Sequence, residues 1–103
     1  MKRKVVWEPT ALNDFDSAVA YIAEYNVAAA YRAATAIQKT GNQLGEYAIG
    51  RPGRVGGMYE KTIVGLPYIL AYAIDVLPDG EERVVILHVI HTARKRQKGE
   101  WPG

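Results

Sequence analysis

Apolar residues recur in the first half of the chain at helical intervals. Leu12, Phe15, Val19 and Ile22 stand three, four and three apart, the stripe of an amphipathic helix. Pro9 precedes them and suits a first helical turn, where its missing N–H has no partner to lose. Asp14, Asp16 and Glu24 lie off that stripe. Asn26 can end this helix and cap the next. The second helix is expected from Val27, with Ala30, Ala34, Ile37, Gly41 and Leu44 as its buried face and Arg32, Gln38, Lys39 and Asn42 outside it. Gly41 weakens such a helix by ~1 kcal/mol relative to Ala unless close packing requires it. Together the two read as an antiparallel hairpin with a very short turn.

Strand-like patterns occupy the rest. Lys2 to Trp7 is a short β-type run ahead of the helices. Gly45, Gly50, Pro52, Gly53, Gly56 and Gly57 mark a loop after them. Met58 to Val64 is then a strand, ended by Gly65-Leu66-Pro67. Tyr68 to Val76 follows, ended by the turn signal Leu77-Pro78-Asp79-Gly80. Arg83 to His91 is last. In the Tyr68 strand, Tyr68, Leu70, Tyr72, Ile74 and Val76 share one face, and Ile69, Ala71, Ala73 and Asp75 share the other. The small residues of that second face are expected to accept the Ala-rich helices. In the last strand Val85, Leu87, Val89 and His91 oppose Val84, Ile86, His88 and Ile90. Both of its faces are apolar, so it is expected in the middle of the sheet. The fold class is therefore α+β, in the order β-α-α-β-β-β, with a helical hairpin on one face of a small antiparallel sheet.

Composition narrows the picture. A chain of 103 residues makes one domain, here residues 1–103 with a basic tail from about residue 92. No Cys is present, which excludes disulfides, thiol catalysis and Cys-based zinc sites. Met1-Lys2-Arg3-Lys4 has no apolar stretch behind it, and the uncharged run Leu66 to Ile74 is too short to span a bilayer. The expectation is a soluble, cytoplasmic protein with no membrane partner. Net charge is +2, but Arg94, Lys95, Arg96 and Lys98 stand together without an acid, and Arg51 and Arg54 flank Pro52-Gly53. Each group is either a solvated surface or a site for an anionic partner.

Little catalytic chemistry is legible. His88 and His91, three apart on one strand, fall on opposite faces, so no metal site is expected. His88 reads as a sheet-face histidine with a satisfied N–H. His91 ends the strand just before Arg94. It either moves a proton near neutral pH or hydrogen-bonds the adjoining turn. The single Ser, Ser17, sits among acids on a helix, against serine hydrolase chemistry. Gly50-Arg51-Pro52-Gly53-Arg54 lacks the Lys-Ser/Thr ending of a phosphate loop. For RNA cleavage, Arg94 and Arg54 could neutralise charge and His91 could move a proton, but no Tyr follows Tyr72 to supply a second proton carrier.

An ordered set of residues nevertheless resembles a known family. It comprises Val6-Trp7, Pro9, Ala11 and Asp14, then Tyr21-Ile22-Ala23, Ala30, Ile37 and Leu44. Gly50-Arg51-Pro52-Gly53-Arg54-Val55 leads on to Gly57 and Glu60. Pro67-Tyr68-Ile69-Leu70 with Tyr72, and Val85 through Ala93 to Arg94, complete it. Over residues 5–96 the chain is similar to the ParE branch of the RelE/ParE toxins of bacterial type II toxin–antitoxin systems.

The resemblance implies a toxin neutralised by a small antitoxin encoded beside it, with operator DNA contacted only through that antitoxin and no cofactor. ParE-like members usually poison DNA gyrase without hydrolysis by the toxin; RelE-like members cut mRNA in the ribosome. This chain has Tyr59 and Ala73 where many relatives have Arg, and Ile69 where the nucleases present Arg. Of the nuclease set only Arg94, with His91 beside it, carries over. The gyrase-inhibiting reading leads, with a ribosome-dependent endoribonuclease as the alternative. Target binding is expected from Arg94, Lys95, Arg96, Lys98, Arg51 and Arg54, and antitoxin binding from Ala30, Ala34 and Ile37 on the helices.

Overall fold

The structure is a computed structural model that describes residues 3–46, 51–52 and 57–95. Its elements run β1 (Lys4–Trp7), α1 (Pro9–Ala23), α2 (Val27–Gln43), β2 (Arg51–Pro52), β3 (Tyr59–Thr62), β4 (Tyr68–Val76), β5 (Glu82–His91) and α3 (Thr92–Lys95). The strands form one sheet in the order β1-β5-β4-β3-β2. Pro9 opens α1, and Asn26 caps α2 by accepting the Ala29 N–H on Oδ1 at 2.9 Å. In the β4–β5 turn the Gly80 N–H donates to the Leu77 carbonyl at 2.8 Å, with Gly80 at φ 89°, a region open to glycine. The Gly-rich stretch expected as a loop contributes β2, two residues paired to β3 at the far edge.

The sheet is mixed where an antiparallel one was expected. β3, β4 and β5 form an antiparallel meander, but β1 lies parallel to β5, with Val5 opposite Val84 and Trp7 opposite Ile86. The helical hairpin is the crossover that allows a parallel neighbour. β5 is consequently central, flanked by β1 and β4.

The helices cover the opposite face from the one expected. Tyr68, Leu70, Tyr72, Val84, Ile86 and Val89 pack with Ala11, Ala18, Ile37 and Leu44 in one core, while Ile69, Ala71 and Ile90 form a separate cluster. Large residues fill the space beneath the hairpin because the helices themselves bring Ala and Gly to it. α1 buries Ala11 and Ala18, leaving Leu12 48% exposed, so its inner face is turned from the apolar stripe. On α2, Ala33 is buried, and Ala34 is only half-buried.

Alternation along β5 breaks at Leu87. Ala71 pairs with His88 and the next residue, Tyr72, pairs with Ile86, so Leu87 is an extra residue, a bulge. Val84, Ile86 and Val89 therefore share the helix-side core, although strict alternation would separate Val89 from the other two.

Gly41 lies against Trp7: a Cβ there would overlap the Trp7 indole and come within 3.0 Å of Ile86 Cδ1. Tyr72 is fully buried, its ring stacked on Tyr59 at 5.6 Å, and its hydroxyl has no hydrogen-bond partner among the described residues. Burial, and secondarily the Tyr59 phenol, push its pKa up.

Asp14 on α1 serves β5 directly. Beyond Ile86, whose carbonyl accepts the Glu8 N–H at 2.9 Å, β1 has ended and β5 has an open edge. There Asp14 Oδ2 accepts the Val89 N–H at 3.1 Å and lies 3.2 Å from His88 Nδ1. A carboxylate only accepts, so His88 carries its proton on Nδ1.

Three outcomes follow for equilibrium unfolding in urea. Gly41→Ala should destabilise by about 1–3 kcal/mol despite the better helix propensity, because overpacking against Trp7 outweighs it. Tyr72→Phe should be neutral or stabilising by up to ~1 kcal/mol, since it removes a buried hydroxyl without a partner. Asp14→Ala should cost about 1–3 kcal/mol, and Asp14→Asn, which keeps an acceptor for Val89, clearly less.

Candidate functional site

A cleft of about 640 Å³ opens between α1 and the ends of β4 and β5. Asp14, Ser17 and Tyr21 line it from α1, Tyr68 from β4, and His91 from β5. Tyr68 and His91 are directly opposite each other in the sheet, and their rings meet edge-on at 5.1 Å. The Leu87 bulge makes this possible. Without the extra residue His91 would point to the other face, away from α1.

His91 is held by the turn that follows it. Its Nδ1 accepts the Ala93 N–H at 3.1 Å, so in the neutral ring the proton resides on Nε2. The two histidines are thus fixed in opposite tautomers, His88 by a carboxylate and His91 by a backbone amide. A hydrogen bond to the Tyr25 phenol, joined by that group's charge, raises the Tyr21 pKa above its ordinary value. Tyr21 and Tyr25 meet edge-on at 5.4 Å, both well exposed. At neutral pH the cleft therefore offers a neutral Tyr21 phenol and an imidazole N–H. Such groups suit binding to an acceptor better than abstraction of a proton.

The Thr92 N–H donates to the Pro67 carbonyl at 2.9 Å, which ties the start of α3 to the β3–β4 turn beside the cleft. Arg94 and Lys95 follow within that single helical turn. Arg51 lies in β2, paired with Glu60, at the sheet edge three strands from β5. That separation is roughly 14 Å, so Arg51 is not gathered with His91. Arg54, Arg96 and Lys98 lie outside the described residues.

The helix residues expected to meet an antitoxin are placed otherwise. Ala30 and Ile37 are 4% and 0% exposed, so they are core side chains, and half-buried Ala34 offers little area. The exposed side of the hairpin carries Tyr21, Tyr25, Val27 and Tyr31 instead. Sequence reasoning set Asp14 aside as an outward acid. Its position, three after Ala11 and four before Ala18, puts it on the inner face of α1 once the small residues rather than Leu12 define that face. Tyr68 was read as a strand residue and as part of the family resemblance but not as a cleft residue, because its partner His91 comes into register through a bulge.

Among solved structures the chain is similar to one described as the chromosomal ParDE TA system from P. aeruginosa. The match has a TM-score of 0.75 at 21% identity and covers 87% of this chain and 96% of that one. At that identity the likeness establishes the fold. No curated protein matches the sequence significantly. Residues 5–96 match the family described as ParE toxin of type II toxin-antitoxin system, parDE, and the chain belongs to that family.

Proposed function

We propose that this protein is held silent by a cognate antitoxin and, once released, inhibits DNA gyrase in the cytoplasm through the segment that begins at Arg94. The observation that carries the choice of target is the state of His91. Its Nδ1 is occupied by the Ala93 amide, and its Nε2 bears the proton, so the one histidine near Arg94 is not poised as a base. Ile69, at the place where ribonuclease relatives present Arg, is 1% exposed in the cluster with Ala71 and Ile90. Both features favour a toxin that acts by binding over one that cleaves RNA. The described residues also include no helix long and apolar enough to cross a membrane.

Arg94 leaves β5 on a short turn tied to Pro67, so its backbone is set by the sheet. A cation cluster starting there attracts an anionic surface such as gyrase–DNA, with a strength that falls as salt rises. Changing Arg94, Lys95, Arg96 and Lys98 together to Ala should leave folding and antitoxin binding intact, because it alters no residue of the described core. The variant should lose growth inhibition when expressed without antitoxin. It should also fail to block DNA supercoiling by purified gyrase, which the unaltered protein blocks. Growth arrest equal to the unaltered protein would move the toxic surface to Arg51 and Arg54. Cleavage of mRNA in the ribosomal A site, abolished by Arg94→Ala, would reverse the choice of target.

A further inference from the structure

The cleft between α1 and the ends of β4 and β5 keeps an acceptor and a donor that the fold does not use up. Asp14 spends Oδ2 on the Val89 N–H at 3.1 Å and the His88 ring at 3.2 Å. Its other oxygen, Oδ1, accepts from no described residue, and the side chain is partly exposed. Two residues beyond Val89 on the same face, His91 spends Nδ1 on the Ala93 N–H and carries its proton on Nε2. An acceptor beside Val89 and a donor at His91 thus stand ~7 Å apart along β5, on one wall of the cleft. The other walls are aromatic. Tyr68 meets His91 edge-on at 5.1 Å and is buried. Tyr21 is well exposed, and its ring is steadied by the edge-on contact and hydrogen bond with Tyr25. Arg94 and Lys95 follow three and four residues after His91, on the turn at the mouth of the cleft.

We infer that this cleft binds an unpaired guanine nucleotide. The N1–H and N2–H groups of the base donate to the open side of the Asp14 carboxylate, and its O6 accepts the His91 Nε2–H. The ring lies against Tyr21, and the phosphate is drawn to the cations that begin at Arg94. Unpaired bases are held in this way, by aromatic stacking and by hydrogen bonds to the Watson–Crick edge. Only guanine offers two adjacent N–H donors beside a carbonyl oxygen. Adenine and cytosine each turn an unprotonated ring nitrogen towards the carboxylate, and thymine and uracil have one N–H between two carbonyls. A bare phosphate is repelled by Asp14, which lines the same cleft. The inference goes beyond the gyrase reading, because it assigns a nucleotide site that does not depend on which protein the toxin inhibits. A free nucleotide and a guanine exposed in a single strand present the same chemistry, and the test separates them.

The test titrates the full-length toxin, isotopically labelled, with GMP, AMP, CMP and UMP, and with short oligothymidylates that contain one central dG or none. GMP should shift the His91 imidazole resonances and the Val89 and Ala93 amides, and should bind at least about tenfold more tightly than AMP. Asp14→Asn keeps an acceptor for Val89 but turns a donor amide to the base. It should abolish the preference for GMP while the amide spectrum stays that of a folded protein. Tyr21→Ala, an exposed change, should weaken all four nucleotides by about fivefold or more and leave the ratio of GMP to AMP unaltered. Tighter binding of the dG-containing oligomer than of GMP identifies a strand as the source, and equal binding identifies the free nucleotide; both uphold the site. Equal affinity for the four nucleotides, or shifts confined to Arg94 and Lys95, reduces the effect to attraction of phosphate and overturns the inference. So does a folded toxin that binds neither GMP nor the dG oligomer, or an Asp14→Asn variant with unchanged selectivity. A toxin that binds GMP but leaves supercoiling by gyrase untouched upholds this site and overturns only the target reading.

Discussion

The fold turns on how β5 is completed along its outer edge. β1 is only four residues long and covers the first half of β5. Past Ile86 the strand's backbone would face water, and a single side chain, Asp14, takes over the ladder by accepting the Val89 N–H. A carboxylate fits because it accepts two donors at once, here a backbone amide and the His88 ring. The same contact locks α1 to the strand that leads into α3. The orientation of α1 over the sheet, the shape of the cleft and the path of the chain at Arg94 all refer back to it.

The second constraint is the closeness of α2. Trp7 lies against the helix at Gly41, and Gly45 meets the backbone at Arg3, where the Gly45 carbonyl accepts the Arg3 N–H. With so little side chain on the helices, the bulk of the core comes from the sheet: Tyr72, Ile86, Leu70 and Tyr68. The arrangement leaves the large side chains Tyr21, Tyr25 and Tyr31 on the outside of the hairpin.

Element identity was legible because punctuation and period agreed. Pro9, Asn26 and the Pro78-Asp79-Gly80 turn each sit where the structure uses them, and β4 and the start of α2 have the expected residues. The central place of β5 followed from its two apolar faces. Facing was harder. α1 has apolar residues on more than one side, so Leu12 competes with Ala11 for the inner position, and small size wins because α1 packs tightly. The side of the sheet that receives the helices was misread for the same reason: small was matched to small, whereas Ala-rich helices need large partners. The parallel placement of β1 depends on a contact between the two ends of the chain and leaves no local trace. The bulge at Leu87 is likewise invisible in a run of apolar residues, and it alone decides that His91 joins Tyr68. The candidate cleft was therefore legible through His91 and hidden where it depends on Asp14 and Tyr68.

The pairing of β1 with β5 also sets the order in which the molecule can be made. Residues 4–7 bond to residues 83–86, so β1 waits for β5, the last of the described strands to emerge. Synthesis proceeds from the N-terminus, and contacts this distant in sequence form late. A nascent chain stopped before Arg83 has its hairpin but no partner for β1 and no place for Trp7 under Ile86. The end of β5 and the turn at α3 are the last described parts to emerge. Completion of β5 and completion of the fold are thus nearly the same event, and a chain stopped before that strand presents no cleft.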